Sequence, residues 1–264
     1  MAESLPEPAR LPEPAALGTA DLISALKAGL ADFVRAPLFG IFFSLVYVLG
    51  GWVLYAVYAA AGQEWWLAPV AVGFPLIAPF AAVGLYEVSR RIESGQPLRW
   101  RPVLGVVFAQ KDRQIPAMAA VIVVVFLFWM FVAHALFALF MGLRAFSPGN
   151  DIVTLFFTGN GPLMLAIGSL IGAGFAGVLF AVTVFGLPLL LDREVDFVTA
   201  MITSFGAVRE NLAVMALWAA LIAGALFLAM LPMFLGLFAA LPLFGHATWH
   251  LYRRAFTPAP ASRA

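Results

Sequence analysis

The sequence has little charge and no cysteine. Only 11% of its 264 residues are charged, 63% are hydrophobic, and the mean hydropathy is +0.98. A soluble domain carries about 25% charged residues, so these charges are too few to cover a water-facing surface. The composition therefore excludes a soluble enzyme, a disordered chain and a nucleic-acid-binding domain. The absence of cysteine excludes disulfides, thiolate catalysis, iron–sulfur clusters and cysteine-based zinc sites.

Long uncharged runs predict membrane-spanning helices, each of which needs about 20 apolar residues. The run 152–191 contains a Gly-Asn-Gly-Pro loop signal near its start. The run 211–252 is about twice as long as one span and has Pro232 and Gly236 at its middle, where a hairpin turn is expected. The sequence therefore predicts six spans, at 38–61, 66–86, 116–141, 163–191, 211–231 and 233–252.

Basic residues are distributed unequally between the predicted loops. With six spans and the N-terminus inside, fourteen of the 15 lysines and arginines lie on the cytoplasmic side, and Arg144 alone lies outside. This bias predicts a multi-pass protein of the cytoplasmic membrane with both termini in the cytoplasm. Residues 1–18, rich in proline and glutamate, and residues 257–264 are predicted to be disordered tails of a 19–256 membrane domain.

A weak threefold repeat runs along the chain. Amphipathic segments at 21–35, 97–113 and 196–209 precede the first, third and fifth spans, so the chain divides into three units of one interfacial helix and one transmembrane hairpin. The expected all-α fold is thus six transmembrane helices with interfacial helices. The predicted apolar stripes are Leu22, Leu26, Leu30 and Phe33 in the first segment and Phe197, Met201, Phe205 and Val208 in the last.

Histidines are candidate functional residues, because polar groups inside the bilayer are costly. His246 and His250 lie four residues apart on one helical face, so they are weak candidates for a shared metal ion or for a haem ligand. The alternative is a structural role at the headgroups, beside Arg253 and Arg254. We expect His134, in the third span, to donate a hydrogen bond to a neighbouring helix.

Charged residues near the predicted cytoplasmic surface are the other candidates. Glu87 is at the right spacing to pair with Arg90 or Arg91. The acidic residues of 192–196 and the basic residues of 90–113 predict an ionic network between loops, or contact with anionic lipid headgroups. No Asp, Glu, Lys or Arg falls at the middle of a predicted span, and this disfavours proton- or sodium-coupled transport.

Four strings resemble an uncharacterised bacterial integral-membrane family, domain of unknown function 2189. They are AGLADFVRAPLFG at 28–40, GLYEVSRR at 84–91, SFGAVREN at 204–211 and GHATWHLYR at 245–253. The resemblance extends over about 20–256 and implies a bacterial inner-membrane location with no established activity. The third string ends in Arg209, Glu210 and Asn211, which are further candidate polar sites.

Some members of that family are labelled cytochrome c oxidase subunits. A haem–copper catalytic subunit needs more histidine ligands than the three in this chain, so the resemblance leaves at most an accessory role near a respiratory complex. The sequence contains no Ser–His–Asp arrangement and no phosphate-binding glycine loop. We therefore expect a non-enzymatic scaffold, assembly or regulatory factor without a cofactor. Its expected partners are the phospholipid bilayer, other membrane proteins or a second copy of itself. The alternatives are a small-solute channel or permease and a haem- or metal-binding accessory subunit.

Overall fold

A computed structural model describes residues 13–61, 67–142 and 156–256. Within these ranges every regular element is helical. A 3₁₀ turn, Gln110–Asp112, follows the fourth of ten α-helices. The helices are α1 (Thr19–Arg35), α2 (Pro37–Ala61), α3 (Leu67–Glu93), α4 (Trp100–Ala109), α5 (Ile115–Met141), α6 (Gly161–Thr183), α7 (Gly186–Asp192), α8 (Phe197–Glu210), α9 (Leu212–Met230) and α10 (Leu237–Phe256).

The helices follow the predicted order of short and long segments. The predicted amphipathic segments correspond to α1, α4 and α8, and each is followed directly by a long apolar helix. α8 begins where Asp196 caps it, since its Oδ1 accepts the backbone N–H of Thr199 at 2.9 Å. Each of the six predicted spans is mainly helical, although the fourth is divided between α6 and α7.

Four helices are long and apolar enough to cross a membrane, among the residues that the structure describes. They are Pro37–Val57, Ile115–Met141, Gly161–Asp192 and Leu212–Met230. The predicted spans 66–86 and 233–252 lie in α3 and α10 and are outside this set. Both of those helices have two arginines in their last turn.

The inward faces of α1 and α8 combine stripe residues with small or polar ones. α1 buries Ala25, Gly29 and Asp32 beside Leu22, whereas Leu30 of the predicted stripe is 51% exposed. In α8, Ser204 and Val208 are buried and Phe205 is 48% exposed. Each predicted stripe therefore lies partly against the bundle and partly on its outer surface. Small residues at an interface let helix backbones approach closely, as they do in membrane bundles.

The C-terminal half of α10 is largely enclosed by the bundle. Its buried residues face α1, α2, α3, α7 and α9. α1 runs alongside it so closely that a Cβ atom on Gly29 would lie 2.5 Å from the backbone nitrogen of Ala247. Glycine at this position is therefore a condition of the α1–α10 contact.

The turn between α9 and α10 falls where Pro232 and Gly236 predict it. Met233 and Phe234 both have positive φ angles, of 53° and 65°, which non-glycine residues rarely adopt. The indole Nε1 of Trp52 in α2 donates to the Met233 carbonyl at 2.9 Å, and so holds this tight turn against the bundle.

We predict that Gly29→Ala destabilises the protein, because the added methyl group meets backbone atoms that have no rotamer to change. The expected cost is about 1–3 kcal/mol, as for overpacked cores. Thermal unfolding of the purified protein in detergent measures it. Gly206→Ala in α8 is the matched control, since a Cβ there meets nothing within 4 Å. An equal melting temperature for the two variants would contradict the predicted close contact.

Candidate functional site

Ionisable side chains collect at one end of the bundle, which we call the polar end. It comprises the last turns of α3 and α10, the polar residues of α1, and Asp192 at the end of α7. Chain segments more than 150 residues apart in sequence meet there through hydrogen bonds.

Glu87 in α3 is completely buried and uses both carboxylate oxygens. Arg90 Nε donates to Oε2 at 2.7 Å, and Arg91 Nε donates to Oε1 at 2.6 Å. The predicted pairing is therefore present with both arginines rather than one. The two guanidinium groups neutralise a carboxylate that would otherwise be costly to bury. The Arg90 side chain also reaches solvent.

His246 connects α10 to α3. Its Nδ1 lies 2.8 Å from the hydroxyl oxygen of Ser89, and both residues are fully buried. Its Nε2 has no hydrogen-bond partner among the described residues. His246 therefore holds two helices together through one ring nitrogen.

His250 faces a different partner, on α1. Its Nε2 lies 2.7 Å from Oδ2 of Asp32, whose side chain is 8% exposed. The two predicted metal-ligand candidates thus have separate partners, Ser89 for His246 and Asp32 for His250. No group of three or more His, Cys, Asp or Glu side chains within the described ranges is arranged to hold a metal ion.

The last turn of α10 is tied to α3 and α7. Glu93 accepts from Trp249 Nε1 at 3.0 Å and from Arg253 Nε at 3.1 Å. Asp192 accepts from the Tyr252 hydroxyl at 2.8 Å, and its Oδ2 lies 3.5 Å from Arg253. Arg253 therefore bridges carboxylates from two other helices.

Asn211 holds the segment that precedes α1. Its Oδ1 accepts the backbone N–H of Leu17 at 2.7 Å, and its Nδ2 lies 3.3 Å from the Ala15 carbonyl. Residues 13–18, which the sequence assigns to a disordered tail, are thus bound to the bundle, and residues 1–12 lie outside the described residues. Arg209 and Glu210 beside Asn211 are exposed and form no ion pair with the described part of the chain.

His134 is on the exposed surface of α5. Its Nδ1 lies 2.7 Å from the carbonyl oxygen of Met130, one turn earlier in the same helix. The expected bond to a neighbouring helix is therefore not the one formed. The Met130 carbonyl therefore supplies a hydrogen-bond partner for one ring nitrogen of His134 within the same helix.

The predicted ionic network between loops is present at one point. Arg113 donates to Glu194 at 2.8 Å, and both are largely exposed. Arg90 and Arg91 are instead bound within α3 to Glu87, as described above. The sequence reasoning missed Asp32 and Ser89, whose partners are remote in sequence and leave no local spacing signal. It included Asp192 in the acidic cluster but did not predict its bonds to Tyr252 and Arg253.

A mainly apolar cavity of about 190 Å³ lies next to the polar end. Six helices line it, and its polar side chains are those of Tyr47, Tyr86, Thr183 and Thr248. No ionisable carboxylate or histidine lines it. Its lining suits an apolar or weakly polar molecule better than an ion.

The helical fold, its apolar long helices and its buried polar end define an integral membrane protein. Residues 67–192 match the family model described as a predicted integral membrane protein, domain of unknown function 2189. The match confirms the family resemblance over just under half of the chain and includes the string at 84–91. The strings at 28–40, 204–211 and 245–253 lie outside the matched residues. No curated protein and no solved structure gives a significant match.

We predict that Glu87→Gln destabilises the protein far more than Glu194→Gln. Both residues bind arginine at similar distances, but Glu87 is buried and Glu194 is 91% exposed. Breaking a buried pair costs about 3 kcal/mol or more, whereas an exposed pair contributes about 0–1 kcal/mol. Thermal unfolding in detergent compares the two variants, and similar melting temperatures would show that the Glu87 pair is not buried as described.

A second prediction from the polar end concerns the stability of the folded protein at acidic pH. Asp21 accepts the backbone N–H of Gly18 and a bond from Arg254, and these bonds lower its pKa from the ordinary value of 3.8. A lowered carboxyl pKa stabilises the fold above the unfolded-state value, and this stabilisation is lost as the pH falls through the folded-state value.

Wild type should therefore be more stable than Asp21→Asn near neutral pH. The difference should begin to shrink near pH 3.8 and should disappear only below the lower folded-state pKa. Thermal unfolding between neutral and acidic pH measures this difference. Glu210→Gln, which removes an exposed carboxylate, is the control and should show no such convergence. A difference for Asp21→Asn that stays constant with pH would contradict the prediction.

Proposed function

We propose that the protein is a non-enzymatic scaffold, assembly or regulatory factor of the bacterial cytoplasmic membrane, acting through protein or lipid partners. The observation that supports this proposal most is the use of the buried polar groups. Glu87, Asp32 and Ser89 each bind a side chain of the chain itself, at 2.6–2.8 Å. Such groups fix helix positions, and a catalytic site would need an acid, base or nucleophile that faces a substrate cavity.

Exposed helix faces supply the surface on which such a factor would act. Only 17% of the α5 span and 11% of the α9 span are buried inside the protein. Their large apolar side chains include Phe131 and Phe227, at 68% and 61% exposed. Lipid chains or helices of a partner protein must cover these faces, and a second copy of this chain is one such partner.

The proposed topology has six membrane helices with both termini in the cytoplasm. Under this topology α3 and α10 complete the set of spans, and the polar end lies at the cytoplasmic surface. The order of short and long helices supports three repeated units, which begin at α1, α4 and α8. The concentration of arginines at the polar end follows the positive-inside rule.

Single cysteines test this topology cleanly, because the chain has none of its own. In intact cells we expect a membrane-impermeant maleimide to label Met233→Cys, at the α9–α10 turn, from outside. Ser94→Cys, just after α3, should react only after the membrane is permeabilised. Labelling of Met233→Cys only after permeabilisation, or not at all, would contradict the proposed crossing of α9 and α10.

The cavity next to the polar end favours a second candidate function, a channel or permease for small apolar or weakly polar solutes. Reconstitution into liposomes distinguishes the two proposals. The scaffold proposal predicts solute flux no faster than in protein-free liposomes. Sustained flux that falls in a Thr183→Phe variant, which narrows the cavity, would replace the scaffold proposal with the channel.

A further inference from the structure

The structure divides the basic residues into bound and unbound sets. Arg90, Arg91, Arg113, Arg253 and Arg254 all donate to carboxylates. Five other cations are exposed and form no ion pair with any described residue. They are Lys27, Arg35, Arg99, Arg101 and Arg209. The carboxylates described above at the polar end already have partners within the chain, so they do not neutralise these five cations.

Three of the five unbound cations lie beside a contact between two aromatic side chains. Trp100, at the start of α4, lies with its ring centroid 4.0 Å from that of Phe39 in α2. Arg99 and Arg101 are its two chain neighbours. Arg35 ends α1 and is followed by Ala36, which belongs with Phe39 and Val103 to one buried apolar cluster. This cluster holds α4 against the start of α2.

Exposed apolar side chains adjoin these arginines. Leu38 is 67% exposed, Phe42 is 43% exposed, and Trp100 is 40% exposed. The rings of Phe42 and Trp100 lie 5.1 Å apart in an edge-on arrangement. Cations, a tryptophan and exposed aliphatic surface therefore occur together where α2 begins. That combination is typical of the headgroup boundary of a membrane.

We propose that Arg35, Arg99 and Arg101 form a binding site for the headgroup of an anionic phospholipid, whose acyl chains lie along Leu38 and Phe42. The guanidinium groups supply charge and donors for a phosphate, and no described carboxylate competes for them. An acidic protein segment would match the charge but would leave the exposed Leu38 and Phe42 uncovered. The inference rests on the proposed membrane embedding, with this end at the cytoplasmic leaflet.

The test measures phosphatidylglycerol bound to the full-length protein in detergent, by native mass spectrometry over a lipid titration. We expect phosphatidylglycerol to bind the wild type more tightly than phosphatidylcholine. The triple variant Arg35→Gln, Arg99→Gln, Arg101→Gln should bind phosphatidylglycerol about tenfold or more weakly, since each cation at the surface contributes to attraction of anionic lipid. Inorganic phosphate in excess should not displace the lipid, because it lacks the acyl chains.

A control at the two remaining unbound cations separates a site from general attraction, and it is compared with the charge-matched double variant Arg99→Gln, Arg101→Gln as well as with the triple variant. Lys27→Gln with Arg209→Gln removes two of the unbound cations elsewhere, and this variant should retain wild-type binding. Replacing the three arginines by lysine should preserve the preference for phosphatidylglycerol over phosphatidylcholine. Equal losses in the glutamine triple variant and the control, or displacement by phosphate, would overturn the proposal.

Two further measurements distinguish loss of the lipid-binding site from misfolding and from failure to insert into the membrane. The helical circular dichroism of the glutamine triple variant should match the wild type. Resistance of both proteins to alkaline extraction from membranes tests the embedding itself. Embedded, folded protein that shows no preference for anionic lipid would reject the site and leave the proposed function standing, whereas extraction of the wild type would reject the proposed function.

Discussion

The packing of α1 against α10 is the contact on which the rest of the bundle depends. It combines a steric condition at Gly29 with the Asp32–His250 pair at 2.7 Å. α10 also carries His246 toward α3 and Arg253 toward Asp192 and Glu93. If α1 moved away, the buried hydrogen bond between Asp32 and His250 would be lost, and α10 would lose the helix that packs against one of its faces. Close backbone approach and a side-chain hydrogen bond therefore stabilise the same interface.

Parts of α1 and α8 place small side chains inward and large apolar ones outward, unlike the helices of a soluble protein. Ala25 and Gly29 face inward, while Leu30 and Phe205 face outward. In water this arrangement would expose apolar surface at a cost in free energy. In a bilayer the outward face contacts lipid chains of similar polarity. Helix association then depends on close fit and on polar pairs rather than on hiding apolar groups. The polar end and the small inward residues therefore both contribute to helix association.

Composition and periodicity were enough to predict much of the fold, because helix formation depends on local sequence. The three short helices and the turn at Pro232 and Gly236 lie where the sequence indicates. The sequence did not indicate which residues of α1 face the bundle, since an apolar stripe does not distinguish a face that contacts lipid from one that contacts other helices. Of the candidate polar residues, Glu87 could be assigned to its arginines from helical spacing alone. The partners of His246, His250 and Asn211 could not, because Ser89, Asp32 and the 13–18 segment are remote in sequence.

The pairing of α1 with α10 has a consequence for how the chain is made. α1 leaves the ribosome before every other helix in the described part of the chain, whereas its partner is the last of those helices. Asp32 and His250 are 218 residues apart, so the pair can form only after all the chain between them has been made. During that interval α1 has its inward carboxylate unpaired and its glycine face uncovered. The contact between α1 and α10 is therefore a late step in assembly of the bundle.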